Sequence, residues 1–179
     1  MDNLIDQIHH DHISMAKVLN LMDKEIQKIL TDGEPDYDLL VDGMRYMVSY
    51  SDTVHHPKED AIFRCLSQRD NKLKSIIVEL QQQHHELAEM GAQLFNAVKN
   101  AALGEFVSKD QIASSGTKYI ETLRQHMDLE EGEMLSGARE WLSEEDMTKV
   151  AKQYATFRDP LLSDSLEQEY QMLYQGLMH

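Results

Sequence analysis

V-H-H-P-K-E-D-A-I-F at residues 54–63 places His55 four residues before Glu59. On an α-helix, positions i and i+4 lie one above the other on the same face, so this imidazole and carboxylate can reach a common point. The same pair recurs as His126 and Glu130 in H-M-D-L-E at 126–130. A lone histidine precedes each pair: His12 lies 43 residues before His55, and His84 lies 42 residues before His126. The chain thus carries one pattern twice, and a fold that brings the copies together would join four imidazoles and two carboxylates.

Working outward from these motifs, the composition is helical: rich in Leu, Met, Gln, Glu and Lys, with only 3 prolines. Breakers divide it. T-D-G-E-P-D at 31–36 and R-D-N at 69–71 separate long apolar-periodic stretches, and Gly104 precedes a capping-box pattern of Ser108 and Gln111. Helices are expected near 3–30, 37–67, 72–103 and 109–138. Ser143 followed by E-E-D opens another near 144–157, D-P at 159–160 breaks it, and S-D-S leads into a last one near 164–177. The expected fold is all-α: an up-down-up-down four-helix bundle over 1–140, with two additional C-terminal helices over 141–179 packing on the bundle or on a partner.

Apolar spacing decides which histidines point inward. Ile5, Ile8, His12, Met15, Leu19, Met22, Ile26 and Ile29 form one seam; Leu73, Ile77, Leu80, His84, Leu87, Gly91, Leu94 and Val98 form another. His55, Glu59, Ile62 and Leu66 follow the same rule, as do Tyr119, Leu123, His126 and Glu130. All six residues of the duplicated pattern therefore fall on buried stripes. His85 with Glu89, and His56 with Asp60, repeat the spacing but sit about 100° off their seams. His85 and Glu89 are expected on the surface. His56 is less settled, because Pro57 removes a backbone donor and can kink the helix beside it. His9, three residues before His12, and the acids Asp60 and Glu131, each following a motif glutamate, are placed on the outer face or behind the six; His179 is terminal.

A buried carboxylate is costly unless paired or metal-bound. Here its only partners along the seams are expected to be neutral imidazoles, and a divalent cation removes the cost. The absence of a thiolate cluster disfavours structural zinc. Mixed imidazole and carboxylate donors suit iron, manganese or zinc, and carboxylates bridging in a bundle core suit a di-iron centre. If Glu59 and Glu130 each bridge, a shared oxo or hydroxo group still leaves about one open position per ion, where a diatomic or peroxidic ligand can bind.

The 17 basic and 32 acidic residues give a net charge of −15, which repels phosphate backbones and anionic membranes. No nucleic-acid or membrane partner is expected. M-D-N-L-I-D-Q lacks a cationic and an apolar leader region, no stretch approaches a membrane span, and Cys65 stands alone, so a cytoplasmic protein is expected. Cys65, in an apolar run after F-R, is expected as a buried structural thiol.

The constellation resembles the hemerythrin-like, or HHE cation-binding, domain over about residues 4–138: H-H-P-K-E-D-A-I-F in the second helix, lone histidines in the first and third, and H-x-x-x-E-E in the fourth. R-D-P-L-L at 158–162 and the E-x-E-Y helix after it are similar to the tail of some bacterial members. The resemblance implies two iron ions, with His12, His55, His84 and His126 as terminal ligands and Glu59 and Glu130 bridging. It departs from the oxygen carriers. Ala88 stands where they have a second third-helix histidine, and their last carboxylate falls at Glu131 rather than Glu130. The match is to the symmetric H-HxxxE-H-HxxxE subgroup, for which an open position on each ion fits reaction or sensing better than oxygen storage.

The leading functional expectation is a non-haem di-iron protein that binds or reacts with small oxygen or nitrogen species: dioxygen, nitric oxide or peroxide. The residues leave open whether it turns over. Tyr119, one seam period before His126, reads first as a core tyrosine and second as a group able to stabilise bound oxygen. The alternative is an iron- or redox-sensing module that signals through its C-terminal helices to a second copy or another protein. Val150, Tyr154, Leu166, Tyr170 and Leu173 are the apolar positions there, and covering the bundle is their simpler use. A metal-free helical adaptor is the third reading.

Overall fold

The structure, a computed structural model, describes residues 4–69, 71–162 and 170–178. The described residues are helical and contain no strand. The first long element is α1, Leu4–Leu30. The second long stretch is α2 (Tyr37–Tyr46), a wide π-helical segment Met47–His55, and α3 (His56–Leu66) in unbroken succession. The third is α4, Lys74–Ala102. The fourth runs through α5 (Lys109–Leu129), a second π segment Glu130–Met134, and α6 (Leu135–Trp141). Then come α7 (Glu144–Gln153), a single 3-10 turn at Pro160–Leu162, and α8 (Gln171–Met178).

Breaks fall where the punctuation residues put them. Asp36 accepts from the Leu39 N–H at 3.0 Å and Ser108 from the Gln111 N–H at 3.3 Å, each capping a helix N-terminus. Gly104 closes α4 at φ 78°, left-handed backbone that a residue with a Cβ adopts only at a cost. Ser143 and Asp146 form a reciprocal capping box at the start of α7. Ser143→Ala is therefore expected to cost about 1 kcal/mol, read as a lower urea midpoint.

Three expectations need correction. The second and fourth long helices are not regular throughout, since each widens beside its histidine–glutamate pair. Pro57 gives the first of these a physical reason: it has no N–H to donate, and its ring crowds the carbonyl four residues back. A turn closed by i→i+5 bonds, such as His56 N–H to Ser51 C=O, accommodates it. The helix expected to reach 157 stops at Gln153. Cys65 is half-buried against an apolar cluster rather than fully enclosed. Of the last expected helix, residues 163–169, with Leu166, lie outside the described residues, as does His179.

Side-chain packing positions the motif. α1 lies along α2 and α5, and α4 along α2 and α5. Two apolar clusters fill the interior. One contains Leu4, Ile5, Ile8, Ile62, Leu66, Ile77, Leu80 and Leu135; the other contains Met15, Leu19, Met44, Tyr50, Leu87, Leu94, Leu123 and Met127. Chain order places His12 between the clusters on α1, His84 between them on α4, His55 and Glu59 on the second stretch, and His126 and Glu130 on the fourth. The six residues thus form a polar layer sandwiched between two hydrophobic ones.

The C-terminal elements cover this core. α7 packs on α1 and α3, and α8 on α1 and α2. Val150 joins the first cluster, Tyr170 and Leu173 join the second, and the Tyr154 hydroxyl donates to the Pro57 carbonyl at 2.8 Å. Among the described residues, no helix is long and apolar enough to cross a membrane.

Candidate metal centre

All six motif residues are buried: His55, Glu59, His126 and Glu130 at no more than 1% exposure, His12 and His84 at 5–6%. Their inward atoms meet at one point. Glu59 turns one oxygen to each half of the repeat. Its Oε1 lies 3.1 Å from His12 Nε2 and 3.2 Å from His55 Nε2, while Oε2 lies 3.6 Å from His84 Nε2. Glu130 mirrors it. Its Oε1 lies 3.3 Å from His126 Nε2 and 3.4 Å from His84 Nε2, and Oε2 lies 3.4 Å from His12 Nε2.

These separations match what adjacent ligands of one ion require, because donors about 2.1 Å from a metal at right angles lie about 3 Å apart. The imidazoles form two pairs, His12 with His55 and His84 with His126, with ring centroids 4.9 and 4.8 Å apart and planes at 68° and 70°. Crossed ring planes let both lone pairs of a pair point at one ion. Nε2 of His55, His84 and His126, Oε2 of Glu59 and both oxygens of Glu130 are buried without a hydrogen-bond partner among the described residues. Orphaned buried donors and acceptors on this scale are costly, and a cation between them satisfies all of them together. The donor set fits a metal.

The outward ring nitrogens are each held by a polar side chain. His12 Nδ1–H donates to Glu131 at 2.7 Å and His84 Nδ1–H to Asp60 at 3.2 Å. His55 Nδ1–H donates to Asp11 at 3.1 Å and His126 Nδ1–H to Gln83 at 2.8 Å. The arrangement follows the duplication. Each residue just before a lone histidine holds the paired histidine of its own copy, and each acid just after a glutamate holds the lone histidine of the other copy. Such bonds fix the tautomer so that Nε2 faces inward. Of the two places expected for Asp60 and Glu131, the outer face or behind the six, these bonds support the second. Asp11 and Gln83 were missed, although their identical offset in the two copies could have revealed them. His9 adds a 3.0 Å contact to Glu131.

Two of the rejected histidines part company. His85 is exposed, as expected. His56 is buried at 4% exposure and lies among the cluster near Glu59, His84 and His126, so its placement off the seam does not hold. The cause is the π segment, where each residue turns less far about the axis and two successive side chains fall inside. His56 stacks flat on His84, with centroids 4.3 Å apart and planes at 13°. Parallel rings cannot both hold one ion in their planes, so His56 as placed buttresses His84. Burial pushes its imidazole down to about 4, against the opposing pull of Asp52, and keeps it neutral. Tyr119 is a core tyrosine filling the space over Gly91 next to Val48, with Asp52 nearby.

Without metal the layer is an imidazolium–carboxylate cluster. Burial opposes charge on His12, yet the carboxylates of Glu130, Glu131 and Glu59 beside it overcome it and hold the ring well above its ordinary value. Burial likewise opposes charge on His84, but the carboxylates of Asp60, Glu130 and Glu59 around it lift it to about 11. His55 is raised as well, against burial, by the Glu59 charge and by Asp11. Glu59 is held well below the carboxylate range, its burial outweighed by the His55 charge and by the imidazoles of His12, His55 and His84 that face it. Imidazoles are therefore not limited to neutral partnership with these carboxylates.

Metal binding needs neutral imidazoles, and groups raised in this way still hold protons at neutral pH. Metal uptake by the metal-free protein should release protons near pH 7, with apparent affinity rising as pH rises. A weakly buffered indicator titration checks this, and uptake without acidification would contradict it.

A family model described as hemerythrin HHE cation binding domain matches residues 3–138, a span that includes all six motif residues and all four of the groups behind them. No curated protein and no solved structure matches the chain.

Proposed function

Because the chain belongs to the hemerythrin HHE cation-binding domain family, we propose that it is a non-haem di-iron protein whose centre binds or reacts with dioxygen, nitric oxide or peroxide. His12 and His55 serve one ion, His84 and His126 the other, and Glu59 and Glu130 bridge. The observation that carries this reading is the division of each glutamate, one oxygen facing each imidazole pair. Four long helical stretches in up-down-up-down order within the domain proposed over 1–140 supply the frame, and α7 and α8 of the proposed extension cover it.

When bound, iron supplies electron transfer and open coordination positions for a small molecule. The protein's own residues do the rest. Glu131, Asp11, Asp60 and Gln83 orient the imidazoles before any ion arrives. The apolar clusters on either side exclude water and confine access to small ligands. His56 fixes the His84 ring.

Anaerobically reduced, iron-loaded protein mixed separately with dioxygen, nitric oxide and peroxide tests the proposal. Distinct visible charge-transfer spectra with at least one of them are expected, and unchanged spectra with all three would refute it. Turnover of the reagent would identify an enzyme. A sensing role is the second reading, favoured by α8 packing on both α1 and α2, where a shift of either helix would meet it. Iron-dependent change in oligomer size would support that reading.

A further inference from the structure

The duplicated centre is not equal in its two halves. Behind the His12–His55 pair, both imidazoles donate to carboxylates, Glu131 at 2.7 Å and Asp11 at 3.1 Å. Behind the His84–His126 pair, only His84 does so, to Asp60 at 3.2 Å; His126 donates to the neutral amide oxygen of Gln83 at 2.8 Å. Gln83 is anchored in that orientation by its own amide N–H, which donates to Glu79 at 3.2 Å. A carboxylate behind an imidazole strengthens it as a donor, and losing such a partner typically costs 10–100-fold in metal affinity.

Lys58 modulates the first half. Its ammonium lies 2.7 Å from the same Asp11 oxygen that receives His55, and both side chains are about 6% exposed. The contact shares the negative charge of Asp11 but also pins the carboxylate in place. The second copy has no counterpart, because Leu129 occupies the matching place three residues after His126. His56 does not compensate by adding a donor to the second half, for its ring lies parallel to His84.

We propose that the two halves take up metal unequally: the His12–His55 half binds first and firmly, the His84–His126 half is the weaker and exchangeable position, and Asp11 and Gln83 set the difference. This inference rests on the two-metal reading of the site. It makes the protein singly loaded over about a tenfold or wider range of free metal.

The test is an anaerobic titration of the metal-free chain with cobalt(II), followed by visible absorption and by the metal-shifted imidazole N–H resonances. Wild-type protein should fill in two steps separated by about tenfold or more, and the first step should shift the N–H signals of His12 and His55. Gln83→Glu should tighten the second step by about tenfold and draw the two together. Asp11→Asn should weaken the first step and spare the second. If that variant does not fold, the Gln83→Glu result decides, since it disturbs no buried ion pair. Two equivalents entering in one step with wild-type protein, or Gln83→Glu acting on the first step, would overturn the proposal. No cobalt binding at all would instead remove the metal reading on which it rests.

Discussion

Replacing His84 with alanine is expected to abolish two-ion binding, while replacing its neighbour His85 leaves it intact. His84 Nε2 faces the Oε2 of Glu59 at 3.6 Å and the Oε1 of Glu130 at 3.4 Å, so it is the donor that ties the second half to both glutamates. Its removal leaves His126 as the only imidazole of that half and strips Asp60 of its partner. His85, one residue on, is exposed and turned about 100° away. Elemental analysis of reconstituted protein should give no more than one ion per chain for His84→Ala and the wild-type value for His85→Ala, with unchanged helical circular dichroism in both. The reverse pattern would overturn the placement of the site.

The second large effect is on stability. Asp11→Ala should destabilise the metal-free protein by about 3–5 kcal/mol, because it leaves the Lys58 ammonium buried without a counter-charge. It also removes the acceptor of His55 Nδ1–H. Against a total stability of about 5–15 kcal/mol for a domain, that is a large fraction. The double variant Asp11→Leu with Lys58→Met removes both charges and should recover much of the loss, since a buried ion pair contributes little beyond an apolar replacement. Urea denaturation reads both. A loss below about 1 kcal/mol for the single variant would mean that the pair is solvated in solution.

How much of this was legible in the chain depends on how local each feature is. Helix periodicity within one segment suffices to turn His12 and His84 inward, and an i, i+4 pair carries its own geometry, so the six central residues were readable. His56 was not. Its inward turn comes from the wide segment Met47–His55, which depends on Pro57 and on packing across helices rather than on α-helical spacing. The partners of the outer nitrogens also depend on how separate helices abut. Asp11 and Gln83 look like ordinary polar residues beside a seam until α1 meets the second stretch and α4 meets α5. The duplication held that information in latent form, since the flanking residues keep the same offsets in both copies even where their identities differ. The inequality of Asp11 and Gln83 is visible only once their roles are known.

The central claim is that Glu59 and Glu130 lie between two ions. Anomalous diffraction at the iron edge from reconstituted crystals tests it most directly. Two peaks about 3.5–4 Å apart are expected, one beside His12 and His55 and the other beside His84 and His126, with both glutamates between them. A single peak, or iron bound away from this polar layer, would contradict the account.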